Sequence, residues 1–329
     1  MSYKHLSEQE RVCIFHCQGI VHQAELARRL KRHRASIRRE LKRFHKAPIW
    51  GYYHYYLPDH AHRFAREKRR RKRGFRWTKH SPLLNYVKEK LKEKWSPEQI
   101  AGRLPMDYPN NPQMRLSHAS IYRWIKDDRK AGGDCWKHLR QSHKKRRKPY
   151  GSGPRRSRIP QRISIHERPE RADKRKEIGH WESDTVLGRK GRLATHVDRK
   201  SRYVLMARML DGTAIQFNAA SIRCFKKMPA KYRKTLTGDN GSEFVEHQAL
   251  GSRMGFKTYF ADPYSSWQRG TNENTNGLIR QYLPKKSDFS TLAHQRVARI
   301  EQALNNRPRK CLGYRTPAEV LGLVLRLKC

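Results

Sequence analysis

The sequence predicts a multidomain chain, with all-α helix-turn-helix units at the N-terminus followed by an α/β catalytic core. Three observations predict it. The basic excess is heaviest in the first half, an apolar and basic helical pattern occurs twice before residue 130, and β-branched alternation begins only past Ile163.

The 329 residues include 75 Lys and Arg against 29 Asp and Glu, a formal charge of +46, with a pI near 10.7 and a mean hydropathy of −1.02. Residues 1–160 hold 42 basic and 13 acidic residues, net +29, and residues 161–329 hold 33 and 16, net +17. An excess this one-sided over the whole chain points to phosphate neutralisation and to nucleic acid as the partner. The densest runs are Arg63–Arg76 and Lys144–Arg162, and the second also holds Pro149, Gly151, Gly153 and Pro154, as a linker does. No stretch approaches the ~18 apolar residues of a membrane helix, and MSYKHLSEQERV lacks a signal-peptide core, so a soluble intracellular protein with no membrane partner is expected. The expected domains are 1–50, a first helix-turn-helix; 51–80, a basic linker or helix; 81–130, a second helix-turn-helix; 131–162, a basic linker; and 163–329, the core with a C-terminal helical extension.

Ser7-x-x-Glu10 is a capping box opening a helix from about Glu8 to Cys17. Ala24, Leu26, Ala27 and Leu30 mark a second helix, and Lys31–His33 a turn. In the third segment Ile37 and Leu41 share one face, while Arg34, Arg38, Arg39, Lys42 and Arg43 crowd the other as candidate DNA contacts. The pattern recurs. Leu26-Ala27-Arg28-Arg29-Leu30 is echoed by Ile100-Ala101-Gly102-Arg103-Leu104, and Ala35-Ser36-Ile37-Arg38-Arg39 by Ala119-Ser120-Ile121-Tyr122-Arg123. Ser96-Pro97-Glu98 caps the second copy, Pro105, Pro109 and Pro112 mark a longer loop within it, and Ser120, Tyr122 and Arg123 become candidate DNA contacts.

In the core, strands are expected at about 181–187, 193–198 and 203–209, then a helix over 213–227, a strand at 234–237, a helix over 242–254, a strand at 256–261 and a helix over 271–282. That order is the one of a ribonuclease-H-like fold. Asp184 lies midway along the first strand, Asp239 ends the fourth at Asp-Asn-Gly, and Glu273 opens the last helix. In such a sheet the first and fourth strands are neighbours and the last helix packs beside them, so the three carboxylates converge. Their oxygens suit two Mg²⁺ or Mn²⁺ ions ~3.5–4 Å apart that clamp an in-line phosphoryl displacement. Glu182 is expected to face away from Asp184, Asp198 to begin a turn, and Glu243 to cap its helix rather than reach the site. His180, Trp181, Tyr264, Trp267, Asn272, Asn274 and Asn276 are candidates to line the site or contact DNA, although packing on the core is the favoured role for Trp267. The six cysteines form no C-x-x-C pair, so zinc is not expected.

Five strings carry a resemblance: IHERPERADKRKEIGHWESDTV (165–186), DRKSRYV (198–204), LTGDNGSEF (236–244), ADPYSSWQRGTNENTNGLIRQYLPK (261–285) and NNRPRKCLGYRTPAEVL (305–321). Through them the chain resembles bacterial insertion-sequence transposases of the IS-thirty family, which use an Asp-Asp-Glu mechanism. The family leaves 33 residues between its second Asp and its Glu, as do Asp239 and Glu273 here. The resemblance implies that Asp184, Asp239 and Glu273 are the catalytic, metal-binding residues and that Arg280 matches a basic position used near the DNA end. Ser183 departs from the Gly that many relatives place before the first Asp.

The resemblance further implies binding to the element's terminal inverted repeats, cleavage there, and attack of the freed 3′-OH on target DNA. It implies a homo-oligomer in the synaptic complex, no nucleotide cofactor, and a bacterial cytoplasmic protein associated with the nucleoid when DNA-bound. A catalytically inactive DNA-binding regulator derived from a transposase is the competing class. A nuclease for RNA hybrids is disfavoured by two helix-turn-helix units suited to B-form grooves.

Overall fold

The computed structural model describes residues 5–44, 56–70, 76–140, 159–263 and 265–326, which form two compact units, 1–76 and 77–329. Tyr264 and most of the basic linker expected at 131–162 lie outside the described residues, as does the side chain of Arg43.

The first unit holds α1 (Glu8–Cys17), α2 (Gln23–Arg29), α3 (Arg34–Phe44) and α4 (Pro58–Arg70). Ser7 and Glu10 form the expected reciprocal capping box at the start of α1. Ile14, Leu26, Ala27, Ile37, Leu41, Tyr56 and Ala61 make one core, with Ala61 bringing α4 into it. A buried ion pair, Arg11 Nε to Glu40 Oε1 at 2.7 Å, ties α1 to α3. Arg34, Arg38, Arg39 and Lys42 stand exposed on the outer side of α3.

The second unit begins with α5 (Ser81–Lys92), α6 (Pro97–Asp107) and α7 (His118–Lys130), packed around Val87, Leu91, Ile100, Leu104, Ile121 and Ile125. Helix α6 runs through Pro105, where a loop is expected. The proline removes one N–H near the helix end, yet the Tyr108 N–H still reaches the Leu104 carbonyl at 3.0 Å. On α7, Tyr122 and Arg123 are exposed, whereas the Ser120 hydroxyl is engaged by that of Ser117 at 2.9 Å.

The core follows: the short α8 (Glu170–Asp173), then β1 (His180–Leu187), β2 (Arg192–Asp198), β3 (Val204–Met209), α9 (Ala214–Phe225), β4 (Thr235–Gly238), α10 (His247–Met254), β5 (Lys257–Phe260), α11 (Gly270–Ile279), α12 (His294–Asn305) and α13 (Pro317–Arg326). The helix expected over 242–254 is broken into a 3₁₀ turn at Ser242–Phe244 and α10. The sheet order is β3-β2-β1-β4-β5, antiparallel among β1, β2 and β3 and parallel from β1 through β4 to β5. This is the ribonuclease-H-like arrangement that the element order predicts.

Helices cover both faces. Trp181, Phe217, Phe225, Leu236, Phe244 and Phe260 fill the side of α9 and α10, and Leu193, Val197, Met206, Leu278, Ile279 and Ile300 the side of α11 and α12. The α5–α7 segment is docked on the C-terminal part of the core. Arg103 holds Glu319 with both terminal nitrogens, the Gln99 amide donates to the Pro308 carbonyl at 2.7 Å, and Lys94 to that of Gln281 at 2.8 Å. Gly102 lies under the Tyr314 ring, where a Cβ would fall 2.4 Å from ring carbons.

Candidate active site

Register brings the two aspartates together. In the parallel pair β1/β4, His180 faces Thr235, Trp181 faces Leu236 and Glu182 faces Thr237. Two residues further along the same direction, Asp184 and Asp239 fall side by side, at the ~4.8 Å spacing of neighbouring strands. The chain then turns, and Asp239 Oδ1 accepts the Gly241 N–H at 2.9 Å.

One cation serves both carboxylates. Arg269, at the N-terminal end of α11, places Nη2 3.1 Å from Asp239 Oδ2 and Nη1 3.6 Å from Asp184 Oδ1. The same Nη1 donates to the Ser183 carbonyl at 3.1 Å. The Asn276 amide donates to Asp184 Oδ2 at 2.7 Å. Burial pushes the Asp184 carboxyl above the usual carboxylate range, Arg269 opposes that shift, and the charges of Asp239 and Glu243 add to it.

Glu273 is exposed and makes no hydrogen bond or ion pair among the described residues. It lies four residues after Arg269 and three before Asn276, so helical periodicity puts it on the α11 face that carries both contacts to Asp184. Among the described residues no group of three His, Cys, Asp or Glu side chains is set to hold a metal ion. The donor chemistry nonetheless suits a hard divalent cation. Asp184 and Asp239 offer only oxygens, and the positive charge they share is supplied here by Arg269.

Several expectations are corrected. Glu182 does not face away from Asp184, because residues two apart on a strand share a face. It is fully buried, paired with Arg199 Nη1 at 2.6 Å, and accepts the Asn272 N–H of α11 at 3.0 Å. Glu243 makes no cap; its carboxylate stands with that of Asp239 around Gly241. Trp267 is 73% exposed rather than packed on the core. His180 and Trp181 are buried structural residues, bonded to the Thr235 hydroxyl at 2.8 Å and the Tyr232 carbonyl at 2.8 Å. Asn272 is also buried, while the Asn274 side chain accepts from Arg140 at 3.3 Å.

Asp198 does form a turn, accepting the Ser201 N–H and hydroxyl, each at 2.7 Å. The Ser183 hydroxyl is used by buried His196, whose Nδ1 lies 2.7 Å away. Arg280 caps the end of α11 and donates to the Leu187 carbonyl at 2.7 Å. Arg269 is the functional residue that sequence reasoning missed, and its only signal was its place one helical turn before Glu273.

A five-stranded mixed sheet with two aspartates abreast, one midway along β1 and one just past the end of the parallel β4, defines an integrase-type core. Residues 174–266 match the family model described as integrase core domain. The chain is 38% identical over 276 residues to the transposase InsI of insertion sequence element IS30A from Escherichia coli (strain K12), covering 81% of this chain and 71% of that one. It is 35% identical to the transposase of IS4351 from Bacteroides fragilis, over 96% of this chain and 95% of that one. It is 39% identical to the transposase of IS1086 from Cupriavidus metallidurans (strain ATCC 43123 / DSM 2839 / NBRC 102507 / CH34), over 74% and 73%. Among solved structures it is similar to the catalytic core domain of BIV integrase, 19% identical with a TM-score of 0.37, over 46% of this chain and 99% of that chain. The chain belongs to the IS30 family of insertion-sequence transposases. Among the described residues no helix is long and apolar enough to cross a membrane.

Proposed function

We propose that this transposase binds the terminal inverted repeats of its element and cuts and joins DNA at Asp184, Asp239 and Glu273. The observation that carries this reading is the pairing of Asp184 and Asp239 under a single cationic side chain. Two carboxylates this close repel unless a positive charge lies between them. A divalent cation fits that requirement, and Glu273 stands on the adjoining helix face to complete an all-oxygen set. Two Mg²⁺ or Mn²⁺ ions held there would polarise the scissile phosphate and stabilise the attacking and leaving oxygens.

The chain's own groups do the rest. Asn276 fixes Asp184 Oδ2, and Oδ1, 3.6 Å from Arg269 Nη1, is the oxygen that a cation would take over. Arg269, displaced from the carboxylates, remains beside the site as a partner for a phosphate oxygen. A water oxygen attacks the phosphorus at the element end, the P–O3′ bond breaks, and the departing oxygen takes up a proton to become a 3′-OH. That hydroxyl then attacks a target phosphate, releasing a target 3′-OH and giving up its own proton. Phosphodiester bonds are conserved in the second step, so no nucleotide cofactor is required. The exposed basic faces of α3 and α7 are the proposed DNA-reading surfaces, and pairing of two element ends requires two or more copies of the chain.

Cleavage and joining of a labelled duplex carrying the element ends tests the proposal. Wild type with Mg²⁺ should yield nicked and joined products, whereas Asp184→Asn, Asp239→Asn and Glu273→Gln should each bind the ends and yield neither. A chain that binds the ends but gives no products under any divalent cation would be a regulator rather than an enzyme.

A further inference from the structure

A cavity lies against α11, on the flank turned away from the carboxylates. Its volume is about 270 Å³, and it is lined by Gly270, Thr271, Asn274 and Thr275 of α11 together with Arg175, Arg202, Arg309 and Cys311. Arg175 comes from the segment after α8, Arg202 from the β2–β3 turn, and Arg309 and Cys311 from the segment between α12 and α13. Three arginines and no carboxylate make the lining strongly cationic, and it adjoins the positive N-terminal end of a ten-residue helix.

Among the described residues the arginines are not balanced by acidic partners. Arg309 is only 7% exposed, and its Nη2 donates to the Leu304 carbonyl at 3.1 Å, but its Nε is buried without a partner. Burial, with Arg307 beside it, holds that guanidinium down to about 10. Arg175 is exposed, and its side chain makes no hydrogen bond or ion pair among the described residues. Arg202 is anchored through the Thr271 hydroxyl. A buried guanidinium with an unmet donor, in a cationic hollow, lacks an anion. The hollow falls below the roughly 300–1,000 Å³ of sites for whole organic ligands, but a phosphate group fits it.

We propose that this pocket seats a backbone phosphodiester of the DNA strand being processed, a few nucleotides from the scissile bond. The spacing follows from the helix. Arg269, Glu273 and Asn276 lie on one side of α11, and Thr271, Asn274 and Thr275 on the other. A helix is roughly 10 Å across with its side chains, which along the axis of a duplex is the rise of about three nucleotides at ~3.4 Å each. The pocket would fix the register in which the strand crosses the carboxylates. The inference rests on the DNA-processing reading above but assigns a phosphate that the carboxylate site does not hold.

The test uses full-length protein and a duplex carrying the element ends. Arg175→Ala removes an exposed, unpaired side chain, so folding should be preserved, and an unchanged melting temperature checks this. Its DNA affinity should drop about fivefold or more, and the slope of log affinity against log salt should fall by about one. Alkylation of Cys311, followed by peptide mass spectrometry, should be slowed by the duplex in wild type and slowed less in Arg175→Ala. Wild-type affinity and salt slope in Arg175→Ala, with Cys311 alkylated equally fast with and without DNA, would overturn the proposal. Protection of Cys311 by millimolar inorganic phosphate but not by the duplex would also overturn it, because the site would then take a free anion. Strand cleavage in the same preparations separates the two readings. If wild type cleaves while Arg175 and Cys311 show no effect, only the pocket fails. If Arg175 and Cys311 respond to DNA but no divalent cation supports cleavage, only the enzymatic reading fails.

Discussion

Arg269 Nη2 lies 3.1 Å from Asp239 Oδ2, while Nη1 of the same guanidinium reaches the Asp184 carboxylate from one helical turn before Glu273. The arginine thus stands where the paired aspartates demand positive charge, and it must yield that place for a divalent cation to enter. Arg269→Gln should bind Mn²⁺ several-fold more tightly than wild type in calorimetry. It should also be less stable without metal, by about 2 kcal/mol, because a charged hydrogen bond to a half-buried carboxylate is lost. Unchanged metal affinity would show that Arg269 does not compete for the carboxylates.

Asn276 holds Asp184 Oδ2 at 2.7 Å and so leaves Oδ1 as the oxygen beside Arg269. Asn276→Ala should lower the rate of end cleavage roughly tenfold to a hundredfold with little change in DNA affinity, as loss of a ligand-orienting contact does. Asn276→Asp should be worse, since it adds a carboxylate against Asp184. Cleavage at the wild-type rate in Asn276→Ala would remove it from the positioning machinery.

The Glu182–Arg199 pair is buried at 2.6 Å, and Glu182 also accepts the Asn272 N–H at the start of α11. Glu182→Leu leaves the buried Arg199 guanidinium with only Asp173 at 3.8 Å and the Ala172 carbonyl at 2.9 Å, so a loss near the lower end of roughly 3–5 kcal/mol is expected in urea unfolding. Because the same carboxylate anchors α11, residual folded protein should also cleave poorly.

Buried His196 is bonded to Ser183, and burial pushes its imidazolium pKa down to about 3. The folded state therefore keeps it neutral, while the unfolded chain protonates it near the ordinary value of about 6.5. The stability this provides is complete above pH ~6.5 and is lost as pH falls from there toward 3, by up to roughly 1.4 kcal/mol per pH unit. Urea midpoints between pH 7 and 5 should show it, and His196→Gln should flatten the profile. An equally steep profile in the variant would assign the loss to other groups.

Much of this architecture was legible in the sequence. Ser7 with Glu10, and Ser96 with its following proline, located the helix starts because caps are local chemistry. Strands β1 to β3 could be read from alternation, and their order predicted the sheet. Glu182 was misassigned although strand periodicity alone places it with Asp184. Its burial then depends on Arg199, a partner 17 residues away that no local pattern identifies. Trp267 was expected to pack because it is large and apolar, but the 3₁₀ turn at Ser266–Arg269 turns it outward. Arg269 was hidden by composition. One arginine among 75 basic residues is marked in the sequence only by its place one helical turn before Glu273, and its role shows once the sheet register sets two aspartates before it.

The most direct test replaces the bridging 3′ oxygen at the element end with sulfur and follows cleavage in Mg²⁺ and in Mn²⁺. Mn²⁺ accepts sulfur more readily than Mg²⁺ does, so the modified end should be cut poorly in Mg²⁺ and be restored by Mn²⁺. Asp184→Asn, Asp239→Asn and Glu273→Gln should cut neither end in either metal. Equal cleavage of the modified and natural ends in Mg²⁺, or cleavage by Asp239→Asn, would contradict a metal held by these carboxylates at the leaving oxygen.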